Sequence, residues 1–294
     1  MVELRVGVLG ASSLVGRCVL PLLRDGGWQV VAYTRQVKPP EEPGIGWQSL
    51  PLGAPRLPVS QDDEGVTPYW ICVAPLWVLP DYFSLIEAGG ARRLVALSST
   101  SRFTKAGSGD TTENAVAAKL IESEARVQAW AEQHGIEWVV LRPTLIYTQG
   151  RDKNISEIAR FIRRFGFFPL LGQAQGLRQP VHAGDVAAAC IAALSASDAA
   201  NRAYNISGGE TLAYREMVTR VFAALGRPVR LVSVPLWAFG LAVALLRCLP
   251  RYRYWSVAMA GRMNRDLVFD HAEAVRDLGF KPRGFALTAE DLPR

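Results

Sequence analysis

Three small residues near the start of the printed sequence have the spacing of a phosphate-binding turn. Gly10, Ser13 and Gly16 lie three positions apart, after a short apolar run rich in valine and leucine. This pattern predicts a strand, a tight turn and a helix. Such a turn directs backbone N–H groups and the positive end of the helix dipole at one point, which suits a diphosphate. The residues that we expect to hold it are Gly10, Ser12, Ser13, Leu14, Val15 and Gly16.

A second frame, in which Gly7 would be the first glycine of the turn, fits the same stretch. It would leave about three residues for the preceding strand, whereas central strands usually have ~5 to 6. We therefore prefer the frame that starts at Gly10. In that frame Ser13 occupies the position where a glycine normally lets the diphosphate approach the backbone closely. An ordinary turn that binds nothing is the alternative interpretation.

The end of the next β-rich run, residues 28–33, bears on the choice of cofactor. A site for NAD usually has an acidic residue there for the ribose 2′-hydroxyl, whereas a 2′-phosphate requires a cation. The sequence continues with Thr34, Arg35 and Gln36, without an acid. Because Arg35 can form charge-assisted hydrogen bonds to phosphate, we favour NADP(H) over NAD(H). The alternative is that Arg35 is a solvated surface charge.

The composition is typical of a soluble globular protein. Of 294 residues, 49% are hydrophobic and 20% charged, enough for a full core without a disulfide or metal. The four cysteines are never at C-x-x-C spacing and the three histidines are scattered, so we predict no metal site. The net charge of +6 is spread along the chain, which argues against nucleic acid as a partner. Without a secretion signal at the start, we expect a cytoplasmic protein.

Unbroken apolar runs alternate with helical patterns through the first half of the chain. Strands are predicted near 69–74, 93–97 and 137–141, with helices near 78–87 and 113–134. This alternation predicts a parallel sheet that is covered on both faces. Beyond residue 144 the pattern loosens into a basic amphipathic helix and then an irregular apolar segment, 165–171.

We therefore predict an α/β fold: a doubly wound parallel sheet, or Rossmann fold, with a second, smaller C-terminal lobe. The Rossmann domain would comprise residues 1–150 and about 177–208, and the lobe about 151–176 and 209–294. Ligands of such sheets lie beyond the carboxyl ends of the strands. The residues expected to line that cleft are Gly10, Arg35, Ala74, Pro75, Ser98 and Pro143.

Residues 235–248 are apolar around nearly the whole circumference of a helix. A membrane-spanning helix needs ~20 apolar residues, so this stretch is too short to span. A buried helix of the second lobe is the first interpretation. A wall for an apolar substrate, or an interfacial patch in peripheral contact with a membrane, are the alternatives.

Several further motifs follow one another in a recognisable order. They are Leu97-Ser98-Ser99-Thr100-Ser101, Lys119 on the next helix, Leu141-Arg142-Pro143-Thr144-Leu145-Ile146-Tyr147, and the segment at 178–186. With the glycine turn, this ordered set resembles the short-chain dehydrogenase/reductase superfamily. The resemblance is to its extended or atypical branch, which includes nucleotide-sugar epimerases and proteins like the complex I accessory subunit.

The resemblance implies a reaction centre with a hydroxyl, a tyrosine, and a lysine four residues after the tyrosine. Thr100, or Ser99, matches the hydroxyl, and Lys119 matches the lysine, which also binds the nicotinamide ribose. The tyrosine position is Ala115, and residues 101–146 contain no tyrosine. A phenol beside a cation can exchange protons near neutral pH, and a methyl group cannot.

Three kinds of group could replace the missing phenol: Lys119 itself, Tyr147, or an acid between residues 110 and 113. Equally, Lys119 could only anchor ribose, Thr100 could cap a strand end and Tyr147 could pack in the cleft. We expect His182 and Asp185 to fix a turn and cap the next helix.

Two functions are therefore expected. The first is an NADP(H)-dependent oxidoreductase or epimerase with a non-standard proton donor, acting on a small organic substrate that is apolar or a sugar nucleotide. The second is an NAD(P)-binding redox sensor or assembly subunit without turnover, which contacts a partner or a membrane surface. Monomer and homodimer both stay open.

Overall fold

The computed structural model describes residues 4–35, 42–50, 65–104, 111–235, 237 and 257–293. Its strands are β1 (Arg5–Leu9), β2 (Gln29–Thr34), β3 (Ile45–Ser49), β4 (Tyr69–Cys72), β5 (Arg93–Leu97), β6 (Glu137–Pro143), β7 (Ile146–Tyr147), β8 (Phe168–Leu171), β9 (Leu177–Arg178), β10 (Val181–His182), β11 (Arg202–Ile206), β12 (Leu212–Ala213) and β13 (Leu231–Val234). Its α-helices are α1 (Gly16–Asp25), α2 (Phe83–Ala88), α3 (Ser101–Thr104), α4 (Thr111–Gln133), α5 (Ile155–Phe165), α6 (Ala183–Ser195), α7 (Tyr214–Ala224), α8 (Val257–Asn264) and α9 (Ala272–Leu278).

Seven of the described strands form one parallel sheet, in the order β11-β6-β5-β4-β1-β2-β3. Val8 of β1 lies between Ala32 of β2 and Ile71 of β4, all running in the same direction. The strand order reverses between β1 and β4, and this topological switch opens a crevice at their carboxyl ends. The predicted fold class, a doubly wound Rossmann sheet, is confirmed.

Helices cover both faces of this sheet because its strands are apolar on both sides. On one face α1 and α6 pack through Val19, Leu23 and Val186 onto Val8 and Val95. On the other face α4 and the segment after β4 pack onto Leu9, Cys72 and Val140. The central strands β1, β4 and β5 are therefore almost entirely buried.

A second core lies beyond the sheet, between α5 and α7. It contains Ile158, Ile162, Met217 and Phe222, and is closed by Phe285 from the C-terminal segment. Beside it, β8 pairs in parallel with β13. These elements are those of the predicted smaller lobe, whose boundaries stay a prediction.

Two predicted elements are corrected. The helix near 78–87 is a 3-10 helix, Leu76–Tyr82, followed by α2, because Pro80 has no N–H for a regular α-helical bond. The irregular segment 165–171 contains β8, whose strand state depends on its pairing with the distant β13. The apolar stretch 235–248 lies outside the described residues, apart from positions 235 and 237.

Candidate cofactor site

The turn after β1 is held against the segment after β4. Gly10 has φ of +80°, and a Cβ there would lie 2.8 Å from the Ala74 Cα atom. Only glycine satisfies both conditions without strain. Gly7, by contrast, lies inside β1 under the Trp70 ring, where a Cβ would be 2.6 Å from ring atoms. The turn itself therefore begins at Gly10.

The rest of the turn leaves backbone donors available. Ser13 N–H donates to the Gly10 carbonyl at 2.9 Å, and the Ser13 hydroxyl accepts from the Gly16 N–H at 3.1 Å. Among the described residues nothing accepts a hydrogen bond from the N–H of Ser12, Leu14 or Val15. Together with the start of α1 at Gly16, these free N–H groups fit a dinucleotide diphosphate.

Arg35 follows the carboxyl end of β2. This strand pairs with β1, which leads into the glycine turn. Its side chain is exposed, and in the described part of the chain no carboxylate pairs with it. Burial raises the pKa of the Tyr82 hydroxyl, and the positive charge of Arg35 partly offsets this rise. A guanidinium near the Tyr82 hydroxyl, without a carboxylate partner, fits the 2′-phosphate of NADP(H).

Lys119 is the candidate residue on the opposite side of the crevice. It is exposed on α4, and its Nζ atom lies 4.9 Å from the centre of the Trp77 ring. Trp77 follows Ala74 and Pro75 after β4, so this cation–π contact joins α4 to the edge of the crevice. Ala115, one helical turn earlier, is also exposed.

The three hydroxyls after β5 have different partners. Thr100 is buried, and its hydroxyl donates to the Pro143 carbonyl at 3.2 Å. The Ser98 hydroxyl donates to Glu124. The Ser99 hydroxyl accepts from the Ser101 N–H at 3.1 Å and donates to no described residue. Ser99 therefore has the most available hydroxyl proton of the three.

Glu124 is a residue of this region that the sequence reasoning missed. Its side chain is 2% exposed and pairs with Arg102 and Arg142, the latter at 2.6 Å. With the bond from Ser98, the carboxylate joins α4 to the ends of β5 and β6. The available signal was its spacing, because Glu124 follows Leu120 by four residues and precedes Val127 by three, on the buried face of α4.

Two candidates for proton transfer have other roles. Glu113 is buried and pairs with Arg262 of α8. Tyr147 is 1% exposed in the second core, packed against His182 and Phe285, and its hydroxyl has no hydrogen-bond partner in the described structure. Burial raises the pKa of Tyr147 to about 12. These surroundings favour the packing interpretation of Tyr147.

His182 caps α6 as expected, since its Nδ1 atom accepts from the Gly184 N–H at 3.0 Å. The Asp185 prediction is corrected: its carboxylate does not cap the helix but accepts from the Arg283 backbone N–H at 2.9 Å and pairs with the Arg283 guanidinium. His182 also lies 3.4 Å from Asp291. Both residues thus hold the C-terminal segment against the fold.

The described residues also bear on metal binding and on membrane-spanning helices. Within them, no three His, Cys, Asp or Glu side chains come together in a way that could bind a metal ion. None of the described helices is long and apolar enough to cross a membrane.

Known proteins share this architecture. Residues 82–207 match the family model of the NAD dependent epimerase/dehydratase family. The sequence is 26% identical over 174 residues to UDP-glucose 4-epimerase from Vibrio cholerae, covering 58% of this chain and 51% of that protein. It is also 29% identical over 120 residues to a mitochondrial NADH dehydrogenase 1 alpha subcomplex subunit 9 from Arabidopsis thaliana, covering 40% of this chain and 28% of that protein. The chain thus spans about half the length of the first of these relatives, and less of the second.

Among solved structures, UDP-glucuronic acid 4-epimerase from Bacillus cereus in complex with NAD is similar over most of its length. Its TM-score is 0.70 at 12% identity, with 98% of this chain and 95% of that chain covered. At this identity the likeness shows the fold alone. The fold is a Rossmann fold, and its glycine turn is a candidate dinucleotide site. Together with the match of residues 82–207 to the epimerase/dehydratase family model, they confirm the predicted resemblance to the extended short-chain dehydrogenase/reductase superfamily.

Proposed function

We propose that this chain is an NADP(H)-dependent oxidoreductase or epimerase that acts on a small organic substrate with a non-standard proton donor. The observation that carries the proposal is the exposed Arg35 at the end of β2, beside a turn with free N–H groups. The diphosphate would bind at Gly10 to Gly16 and the 2′-phosphate at Arg35. When bound, the nicotinamide supplies or accepts a hydride.

We assign the proton transfer to Lys119, assisted by the hydroxyl of Ser99 or Thr100. Of the three kinds of group considered, Tyr147 is buried in the second core and Glu113 is paired with Arg262. Asp110, the other acid of that segment, lies outside the described residues. Lys119 is exposed and is oriented by Trp77. A substrate between the crevice and the second lobe could therefore reach its ammonium group. The sugar nucleotides named for the epimerase relatives are one candidate substrate class, and apolar carbonyl compounds are another.

Ala115 favours a second candidate function, NAD(P) binding without turnover. It lies exposed one turn before Lys119, where the superfamily's tyrosine would be, so the site lacks its usual acid. The relative from Arabidopsis is by its name a subunit of a larger assembly. In this role, a bound cofactor would stabilise the fold while another surface meets a partner.

Cofactor preference is tested with Arg35→Ala. We expect the Kd for NADPH to rise tenfold or more, because a charge-assisted phosphate contact contributes about 1.5–3 kcal/mol, while the Kd for NADH stays nearly unchanged. The matched control is Arg24→Ala, another exposed arginine that pairs with Asp25 at 2.9 Å, near the far end of α1. Equal effects of Arg35→Ala on both cofactors would contradict the assignment.

Turnover is tested by following NADPH absorbance with carbonyl, sugar-nucleotide and quinone compounds. The enzyme function is supported if one of these compounds oxidises NADPH and the Lys119→Ala variant, although it still binds NADPH, does not catalyse that oxidation. Tight binding with no turnover, and recovery of the protein in a membrane fraction, would support the second function instead.

A further inference from the structure

The second lobe contains an open cavity of about 520 Å³ that runs along α5. Ligand sites commonly have volumes of ~300–1,000 Å³. The wall is mainly apolar and includes Phe161, Phe168, Met217 and Met263. Leu145 also lines it, two residues after the end of β6, so the cavity begins close to the edge of the main sheet.

The charged residues at this cavity are predominantly positive. Glu157 and Arg160 line it but pair with each other at 2.6 Å. Lys153 and Arg164 also line it, and no described carboxylate pairs with either. The cavity therefore combines an apolar wall with a net positive charge.

The positive charge is concentrated where α5 ends. Arg163 is next to Arg164 and donates to the Pro293 carbonyl. Arg227 donates to the carbonyls of Ile162 and Arg163, both at 3.1 Å. Arg163 and Arg227 are thus engaged with backbone carbonyls, whereas Arg164 lines the cavity without a carboxylate partner among the described residues. The charge of Arg164 is therefore the one available to an anion in the cavity.

Aromatic rings surround the same end of the helix. The Phe161 ring lies 4.6 Å from Phe165 and 5.5 Å from Phe168, and Phe165 is 52% exposed. Arg164 lies over the Phe165 ring at 5.4 Å. These rings offer a ligand apolar surface, from which an apolar chain or ring system would displace water.

We propose that this cavity binds an amphiphilic anion, with an apolar body along Phe161, Phe168 and Met263 and the anionic head at Arg164. The proposal goes beyond the dinucleotide site, because it holds whether or not the protein transfers a hydride.

The test uses dodecanoate below its critical micelle concentration and isothermal titration calorimetry of the full chain without a dinucleotide. One dodecanoate is expected to bind per chain, and Arg164→Ala should weaken it about fivefold. Arg163→Ala is the matched control, since Arg163 is its neighbour on the same helix but does not line the cavity; we expect less than a twofold change. Thermal unfolding checks that both variants fold.

A series of chain lengths and a comparison of head groups keep the proposal testable even if Arg164→Ala fails to fold. From octanoate to dodecanoate, affinity should rise about fourfold per added methylene, the equivalent of ~0.8 kcal/mol for each buried CH₂. Dodecyltrimethylammonium should bind at least tenfold more weakly than dodecanoate. Equal binding of both head groups, or equal effects of the two arginine variants, would overturn the proposal. So would binding to anionic phospholipid vesicles with none to monomeric dodecanoate, since that result would indicate a membrane surface rather than a cavity.

Discussion

Gly10→Ala tests whether the cofactor turn depends on close contact between the segments after β1 and β4. The substitution adds a methyl group 2.8 Å from the Ala74 Cα atom, whereas ordinary contact begins at 3.4 Å. It also forces an L-residue to adopt a φ of +80°. Both effects act where the diphosphate is expected to bind.

The two costs can be separated. A left-handed conformation costs a residue with a Cβ roughly 1–2 kcal/mol, and overpacking against backbone costs a further ~1–3 kcal/mol. Gly10→Ala should therefore lower the free energy of unfolding by about 2–5 kcal/mol. Gly27→Ala is the matched control, because Gly27 has φ of +77° and nothing lies within 4 Å of its added Cβ. It should show only the first cost, about 1–2 kcal/mol.

The measurement is denaturant unfolding of the two variants beside the unaltered chain, with NADPH titrations of each. Gly10→Ala should be the less stable variant and should also lose NADPH affinity, since displacing the turn moves its free N–H groups. Gly27→Ala should bind NADPH normally. If the two variants were equally stable, the close approach of Gly10 to Ala74 would be refuted.

Three further substitutions test other parts of the site. Glu124→Gln should destabilise the fold by about 3 kcal/mol, because it removes a buried carboxylate and leaves two partly buried arginines without their counter-charge. The exposed neighbour variant Glu122→Gln should change stability by less than ~0.5 kcal/mol, and equal effects would contradict the cluster at Glu124. Asp291→Asn should flatten the loss of stability in acid, measured by unfolding between pH 5 and 2, and Glu290→Gln should not. Ala115→Tyr, at an exposed position, should leave stability nearly unchanged and raise any turnover about tenfold or more, because a phenol would then assist Lys119 in proton transfer. No gain would show that residue 115 does not face the reacting atoms.

The surroundings of Asp291 determine how its carboxyl affects the stability of the fold in acid. Burial works against ionisation of its carboxyl, but hydrogen bonds from His182 and Thr288 outweigh burial and lower its pKa below the usual 3.8. A carboxyl whose pKa is lower in the folded state contributes stability above its unfolded pKa. That contribution is lost as the pH falls through the folded value.

Local patterns were sufficient to predict the main sheet and the turn at Gly10. Residues of β1 and α1 carry their signal within a few positions, because strand, turn and helix are adjacent in sequence. β8 was missed because its strand state depends on pairing with β13, about sixty residues later. The cluster at Glu124 was missed for a similar reason, since its partners Ser98 and Arg142 come from two other elements.

The long helix α4 is attached to the fold by an ion pair on either side of Lys119. Glu113 near its start is paired with Arg262, and Glu124 in its second half is paired with Arg142. Lys119 lies between these two attachments and also contacts the Trp77 ring, so its place on α4 does not depend on a tyrosine at residue 115. A lysine at this place can bind a ribose or transfer a proton. Only proton transfer depends on a group that gives up a proton, the usual task of the superfamily's tyrosine. We therefore expect a replacement of Ala115 to change catalysis without changing cofactor binding.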